Sequence, residues 1–114
     1  KIIDTRRDAM DTCFSCFKQF FARGQLFTYS LEDLGKYYSD YIKAMNHWHK
    51  VFGDQIYTVR YDNVINDTEN TIKELIQYCE LPFENECLEF YKSSRPVKTP
   101  SAEQVRQPIY KSGT

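Results

Sequence analysis

The chain has 114 residues, a formal net charge of −1 and 16% aromatic residues, including nine tyrosines and eight phenylalanines. This length corresponds to one small domain, and the many aromatic residues favour a packed core over disorder. The near-neutral charge argues against a nucleic-acid-binding surface, and no apolar run is long enough to span a membrane.

Two strands and several helices alternate along the sequence. Residues 1–4 have the character of a strand end, and residues 11–22 have helical periodicity. We expect Asp11 to cap this helix and Gly24 to follow its end. Its apolar face, which we expect to pack in the core, carries Phe14, Phe17 and Phe21.

Residues 30–52 predict the longest helix, because apolar residues recur in steps of three and four. It opens with the capping pattern of Ser30 and Asp33 and ends at Gly53. His47 and His49 are two residues apart, so they point to different sides and are interpreted as surface or flanking residues. The apolar positions are Leu34, Tyr38, Tyr41, Met45, Trp48 and Phe52.

Residues 55–61 predict a second strand because they are rich in β-branched and aromatic side chains. Asp67 or Thr68 then caps a further helix, and residues 85–92 predict a short one. Residues 93–108 contain three prolines and three Lys or Arg residues, and the prolines exclude a regular helix or a central strand. The order strand, two helices, strand, two helices predicts an α/β fold, in which both strand ends emerge at the same edge if the sheet is parallel.

The turn after the first strand is suited to bind an anion. Arg6 and Arg7 lie between a strand and a helix, and Ser15 lies in that helix. An arginine fork, a hydroxyl and a helix N-terminus together suit a phosphate. Tyr61 follows the second strand, and the ends of parallel strands meet at one edge of a sheet, so these groups would hold the two ends of a nucleotide. The alternative is that the arginines form salt bridges and that Ser15 bonds to its own helix backbone.

The spacing of the cysteines does not match that of a zinc site. The chain has four of them, Cys13, Cys16, Cys79 and Cys87. Cys13 and Cys16 form a C-x-x-C pair, but the residues between Cys79 and Cys87 number seven, more than the roughly two to four that separate paired zinc ligands. We interpret all four as small apolar residues of a protein in a reducing compartment, which favours the cytoplasm. A zinc-binding domain through Cys13 and Cys16 is an alternative.

Three segments, taken in order, resemble the C-terminal part of PAPS-dependent sulfotransferases, including protein-tyrosine sulfotransferases and their bacterial relatives. Residues 5–15 (TRRDAMDTCFS) are similar to the family's 3′-phosphate-binding segment, R-[DN]-P-x-D-x-x-x-S. Residues 59–64 (VRYDNV) resemble its Y-E-D-[LM] segment, and residues 101–110 (SAEQVRQPIY) resemble its S-x-x-Q-V-x-x-P loop. Ala9 stands where the family usually has proline, and Gln19 stands where tyrosylprotein members have an extra arginine.

The resemblance implies a cofactor, PAPS (3′-phosphoadenosine 5′-phosphosulfate), whose product is PAP (adenosine 3′,5′-bisphosphate). It implies that a sulfuryl group moves to an acceptor hydroxyl, without a metal. Arg7 and Ser15 would hold the 3′-phosphate, and Tyr61 would pack near the adenine. Ser101 would be catalytic and would stabilise the sulfuryl group. The other residues implied to line the cofactor are Gln104, Val105 and Tyr110.

The implied fold is the C-terminal part of a P-loop-like parallel-sheet domain that is mostly helical in this chain. We expect residues 1–114 to form a single partial domain, with residues 93–114 as a basic loop that covers the cofactor. The 5′-phosphosulfate loop and the catalytic base would then lie elsewhere, and the acceptor and the oligomeric state stay open. The alternative function is a non-enzymatic helical interaction module, which requires a large exposed apolar patch on the helix of residues 30–52.

Overall fold

Two short parallel strands, one near the start of the chain and one in its middle, form the sheet of the molecule. The structure, a computed structural model, describes residues 1–19, 21, 23–99 and 101–109. Strand β1 (Ile2–Arg6) pairs with strand β2 (Ile56–Arg60), and the register places Asp4 beside Thr58. Parallel strands need a long crossover, which here consists of helix α1 (Ala9–Lys18), a 3-10 turn (Leu26–Tyr29) and helix α2 (Leu31–Phe52).

After β2 the chain is helical and then irregular. Helix α3 (Tyr61–Asn66) follows the strand directly, and helix α4 (Thr68–Tyr78) packs against α3 and β2. The helix predicted over residues 85–92 is instead two 3-10 turns, Asn85–Leu88 and Phe90–Lys92, and a third such turn covers Gln104–Arg106. The α/β class and the parallel strands are confirmed, and none of the described helices is long and apolar enough to cross a membrane.

Helix α1 begins earlier than predicted, because Asp8 and not Asp11 is its N-cap. The Asp8 carboxylate accepts hydrogen bonds from the backbone N–H groups of Met10, at 2.9 Å, and Asp11, at 3.1 Å. These bonds satisfy two donors that have no partner within the helix. The helix also ends earlier, at Lys18, so Gly24 is not its C′ residue.

Helix α2 begins and ends where its sequence predicts. The Ser30 hydroxyl accepts a hydrogen bond from the Asp33 N–H at 3.2 Å. At the other end Gly53 has a φ of +53° and donates its N–H to the His49 carbonyl. Only glycine adopts such a conformation readily, since it has no Cβ.

The buried apolar residues lie where α2 meets the sheet. Leu34, Ile56 and Val59 are at most 7% exposed. The prediction that Phe14 and Phe17 pack in the core is wrong, because they are 52% and 42% exposed. Phe21, predicted to share their face, is half-buried and lines the main cavity together with Cys13 and Cys16.

Two glycine substitutions test the backbone assignment of α2. We expect Gly53→Ala to lower the free energy of unfolding by about 1–3 kcal/mol, because alanine is strained at a positive φ. Gly35→Ala is the matched control: this residue lies inside α2, and a Cβ meets no atom within 4 Å at either glycine. There alanine should stabilise by about 0.5–1 kcal/mol. Urea unfolding of the full-length protein measures both, and equal effects at the two sites would contradict the assignment.

Candidate functional site

A cavity of about 700 Å³ opens between α1, α2 and the carboxyl ends of the two strands. Its volume lies within the range of about 300–1,000 Å³ that is typical of small-molecule sites. Among the described residues, none after Val64 lines it. The lining residues are Thr5, Arg6, Arg7, Thr12, Cys13, Ser15, Cys16, Phe21, Gln25, Phe27, Thr28, Leu34, Tyr37, Tyr38, Tyr41, Val59, Tyr61 and Val64.

The Arg7 side chain lies on the face of an aromatic ring in this cavity. Its guanidinium carbon is 5.1 Å from the centroid of the Tyr61 ring, a cation–π distance. One terminal nitrogen is 3.7 Å from an Asp11 carboxylate oxygen, and Tyr38 donates a hydrogen bond to the Arg7 carbonyl at 3.1 Å. Arg7 Nε is buried and has no hydrogen-bond partner among the described residues. The Arg7 side chain is therefore held in place by the Tyr61 ring and by Asp11, while its Nε has no protein partner among the described residues.

Ser15 lies on the same cavity, as the sequence predicts, but not in the first turn of α1. Because the helix begins at Ala9, Ser15 is in its second turn. The first-turn N–H groups of Met10 and Asp11 are already bonded to Asp8. The polar groups that the cavity offers to an anion are thus side chains rather than the helix N-terminus.

The structure does not bring the predicted residues of the last segment to this cavity. Ser101, Gln104 and Val105 are exposed and do not line it, and Tyr110 lies outside the described residues. The turn Gln104–Arg106 packs against the turn Phe90–Lys92. Arg106 fixes this arrangement by donating to the carbonyls of Ser93 and Arg95, the latter at 2.8 Å.

A buried carboxylate behind the cavity was not predicted from the sequence. The Asp4 side chain is only 2% exposed. Its oxygens accept hydrogen bonds from the Tyr41 hydroxyl and from Arg6 Nε, the latter at 2.7 Å. His49 Nε2 is 3.8 Å from the same carboxylate and 3.2 Å from the Thr58 hydroxyl. His49, interpreted from sequence as a surface or flanking residue, is therefore part of an internal polar cluster.

The cluster holds Asp4 in its ionised form. Burial opposes the charge, but the hydrogen bond from Tyr41 and the adjacent Arg6 guanidinium lower the pKa of Asp4. Burial and the hydrogen bond to Asp4 raise the pKa of Tyr41 to about 12, so its phenol remains a proton donor. The hydrogen bond to Asp4 also raises the pKa of Arg6. A charged residue inside an apolar strand was the signal in the sequence, since such a group must find partners.

Comparison with known proteins identifies the family. Residues 1–85 match the sulfotransferase family. The chain belongs to this family. An uncharacterized protein of Aquifex aeolicus (strain VF5) is 42% identical over 115 residues, which cover 98% of this chain and 15% of that relative. No solved structure matches the chain significantly.

The sulfotransferase assignment and the structure weigh against both alternative functions. No group of three or more metal-binding side chains occurs in the part of the chain that the structure describes. Tyr38, Tyr41 and Met45 are half-buried on the side of α2 that an interaction module would expose. Trp48 and Phe52, at 43% and 37% exposed, are the exceptions on this face.

Asp4→Asn tests the buried cluster. Breaking a buried ion pair by removing one partner costs about 3–5 kcal/mol, because the other charge is left without compensation. The Asp4 pKa is below its ordinary value of 3.8, so its ionisation stabilises the fold above about pH 4. This contribution is lost as the pH falls through the lowered folded-state pKa. We therefore expect the variant to be less stable at pH 7 and to lose part of the acid dependence of unfolding.

Asp40→Asn is the control for this substitution. Asp40 lies on α2 and forms a 3.7 Å ion pair with Lys43, but both side chains are at least 64% exposed. Exposed pairs contribute about 0–1 kcal/mol, so this variant should unfold nearly as the parent does. Denaturant unfolding between pH 2 and 7 compares the two, and a similar loss in both would refute the role of Asp4.

Proposed function

We propose that this chain binds the 3′-phosphate and adenine of PAPS, as part of a sulfotransferase that moves a sulfuryl group to an acceptor hydroxyl. The observation that carries the proposal is the Arg7 guanidinium, which lies over Tyr61 and has a buried, unpartnered Nε, while the cavity is lined by both Arg7 and Ser15. Family membership supports the reaction class, since residues 1–85 match sulfotransferases.

The cavity residues fit such a cofactor chemically. Arg7 supplies the planar donor fork that binds phosphate oxygens, and the Ser15 hydroxyl can donate to the same group. Six aromatic side chains line the cavity, Tyr61 among them, and their rings suit stacking with a purine. Arg6 also lines the cavity, but its Nε is bonded to Asp4. Arg7 is therefore the better candidate for the phosphate.

The complete protein would carry out the reaction with help from other residues. When bound, the cofactor supplies an activated sulfuryl group, while Arg7 and Ser15 anchor its far end and so orient it. Roles for Ser101, Gln104, Val105 and Tyr110 are supported by the similarity of their motif alone. For Ser101 to donate to the sulfuryl group, the segment after residue 93 would have to approach the cavity, which Ser101 does not line in this structure.

We further propose that residues 1–114 are one part of a P-loop-like domain, with the general base and the 5′-phosphosulfate loop supplied by other residues of the complete protein. This chain spans about 15% of its Aquifex relative. All four cysteines are free thiols, which supports a reducing compartment such as the cytoplasm. The acceptor is proposed only as a class, a hydroxyl compound.

Arg7→Ala tests the phosphate contact. Hydrogen bonds to charged groups contribute about 1.5–3 kcal/mol, so we expect PAP to bind the full-length variant about 10- to 150-fold more weakly by calorimetry. Adenosine 5′-monophosphate lacks the 3′-phosphate, and its affinity should change little. Lys43→Ala, which removes an exposed cation of α2 outside the cavity, should bind PAP as the parent does. Unchanged PAP affinity in Arg7→Ala would remove Arg7 from the site.

Substitutions at Tyr61 separate the role of the ring from that of its hydroxyl. Loss of base stacking costs about 1–3 kcal/mol, so Tyr61→Ala should weaken both PAP and adenosine 5′-monophosphate. Tyr61→Phe keeps the ring and the contact with the Arg7 guanidinium, and should retain most of the affinity. Equal losses in the two variants would show that the hydroxyl, rather than the ring face, contacts the nucleotide.

A further inference from the structure

The C-x-x-C pair is not used by the proposed function, yet both of its sulfur-bearing side chains line the cavity. Cys13 and Cys16 are free, half-buried thiols on α1, and Ser15 lies between them in sequence. The other two cysteines, Cys79 and Cys87, are also free and half-buried but do not line the cavity. Two thiols are thus concentrated in the site proposed for the nucleotide.

Helix geometry permits the two thiols to join. Residues three apart in an α-helix have Cα atoms about 5 Å apart, as follows from the rise and radius of the helix. Disulfides span Cα distances of about 4.4–6.8 Å, but they need Cβ atoms about 3.8 Å apart. Cβ atoms three apart on a helix are about 5–6 Å from each other. Closing the bond would therefore tighten α1 locally without moving it as a whole.

We propose that Cys13 and Cys16 form a reversible redox modification site, which a small disulfide of the glutathione class oxidises to a disulfide within α1. The oxidised helix would bind the nucleotide phosphate poorly, because the tightened segment contains Ser15. This second part rests on the proposed function, whereas the modification site itself does not.

The exchange is chemically balanced. The thiolate of one cysteine attacks glutathione disulfide, whose S–S bond breaks to leave a mixed disulfide and one glutathione thiolate. The second cysteine thiolate attacks the mixed disulfide, which forms the Cys13–Cys16 bond and releases the second glutathione. Two cysteine thiols are oxidised, one glutathione disulfide is reduced to two thiols, and the cysteine protons pass to the released glutathione. A strained disulfide of this kind is readily reduced again, as a regulatory bond must be.

Peptide mapping of the full-length protein tests the site directly. Trypsin cleavage after Arg7 and Lys18 releases residues 8–18, which contain both cysteines and neither Cys79 nor Cys87. After incubation with glutathione disulfide and alkylation of the remaining thiols, this peptide should be unalkylated and lighter than its reduced form by two hydrogens. A thiol reductant should restore both thiols.

Single substitutions serve as controls. Cys13→Ser or Cys16→Ser should stop the reaction at a mixed disulfide with glutathione on the remaining cysteine. Cys79→Ser and Cys87→Ser should leave oxidation of the 8–18 peptide unchanged. The proposal is overturned if residues 8–18 keep both thiols while Cys79 or Cys87 is modified, or if only mixed disulfides form in the parent protein.

Nucleotide protection tests the link to the cavity. PAP at about ten times its dissociation constant should slow oxidation of the 8–18 peptide about tenfold, because only the unoccupied fraction reacts. The oxidised protein should in turn bind PAP at least tenfold more weakly. If the reduced protein does not bind PAP, the proposed function fails, while the peptide result still decides the redox site. If PAP binds and neither effect occurs, the link between the two is refuted.

Discussion

The interaction on which the rest of the site depends is the burial of the Asp4 carboxylate. A buried charge is tolerated only when hydrogen bonds and an opposite charge compensate it. Tyr41 supplies a bond from α2, and Arg6 supplies both a bond and the charge from β1. His49 of α2 lies beside the same carboxylate and also contacts Thr58, so it joins α2 to β2. One carboxylate thus fixes the position of α2 against both strands, and Arg6 and Tyr41 form part of the cavity wall on its other side.

The two adjacent arginines consequently have different roles. Arg6, the last residue of β1, bonds to Asp4 two residues before it, whereas Arg7 follows the strand and lies over Tyr61. Arg6 is a structural cation, since its charge is neutralised by a buried partner. Arg7 is 3.7 Å from the half-buried carboxylate of Asp11, and its Nε has no hydrogen-bond partner among the described residues. The distinction could not be drawn from the Arg-Arg pair itself, and it follows from which side chain each arginine contacts.

The sequence was most informative where local chemistry decides the structure. The start of α2 at Ser30, its end at Gly53 and the parallel strands were all predicted, and Arg7 and Tyr61 both line a cavity at the edge where the strands end. It was less informative where two residues could play the same part. Asp8 and Asp11 are both suitable N-cap residues for α1, and in the structure Asp8 caps the helix while Asp11 lies beside Arg7. Contacts between distant residues, such as Asp4 with Tyr41, were not predictable from any local pattern. The position of Ser101, Gln104 and Val105 likewise depends on contacts of Arg106 that their motif does not encode.

The unpartnered donor of Arg7 links stability to binding. A buried donor without a hydrogen-bond partner costs about 1–3 kcal/mol in the folded state, and Arg7 Nε is one of two such side-chain atoms in the described residues, with the Tyr78 hydroxyl. The tyrosines around it reduce the freedom of the arginine, because Tyr61 supports the guanidinium and Tyr38 holds the backbone carbonyl. An anion that bonds to this nitrogen would recover the desolvation cost that folding has already imposed, and it would meet a side chain that needs little further ordering. Such preorganisation increases affinity without additional contacts, so the proposed phosphate contact would gain from the order that Tyr61 and Tyr38 already impose on Arg7.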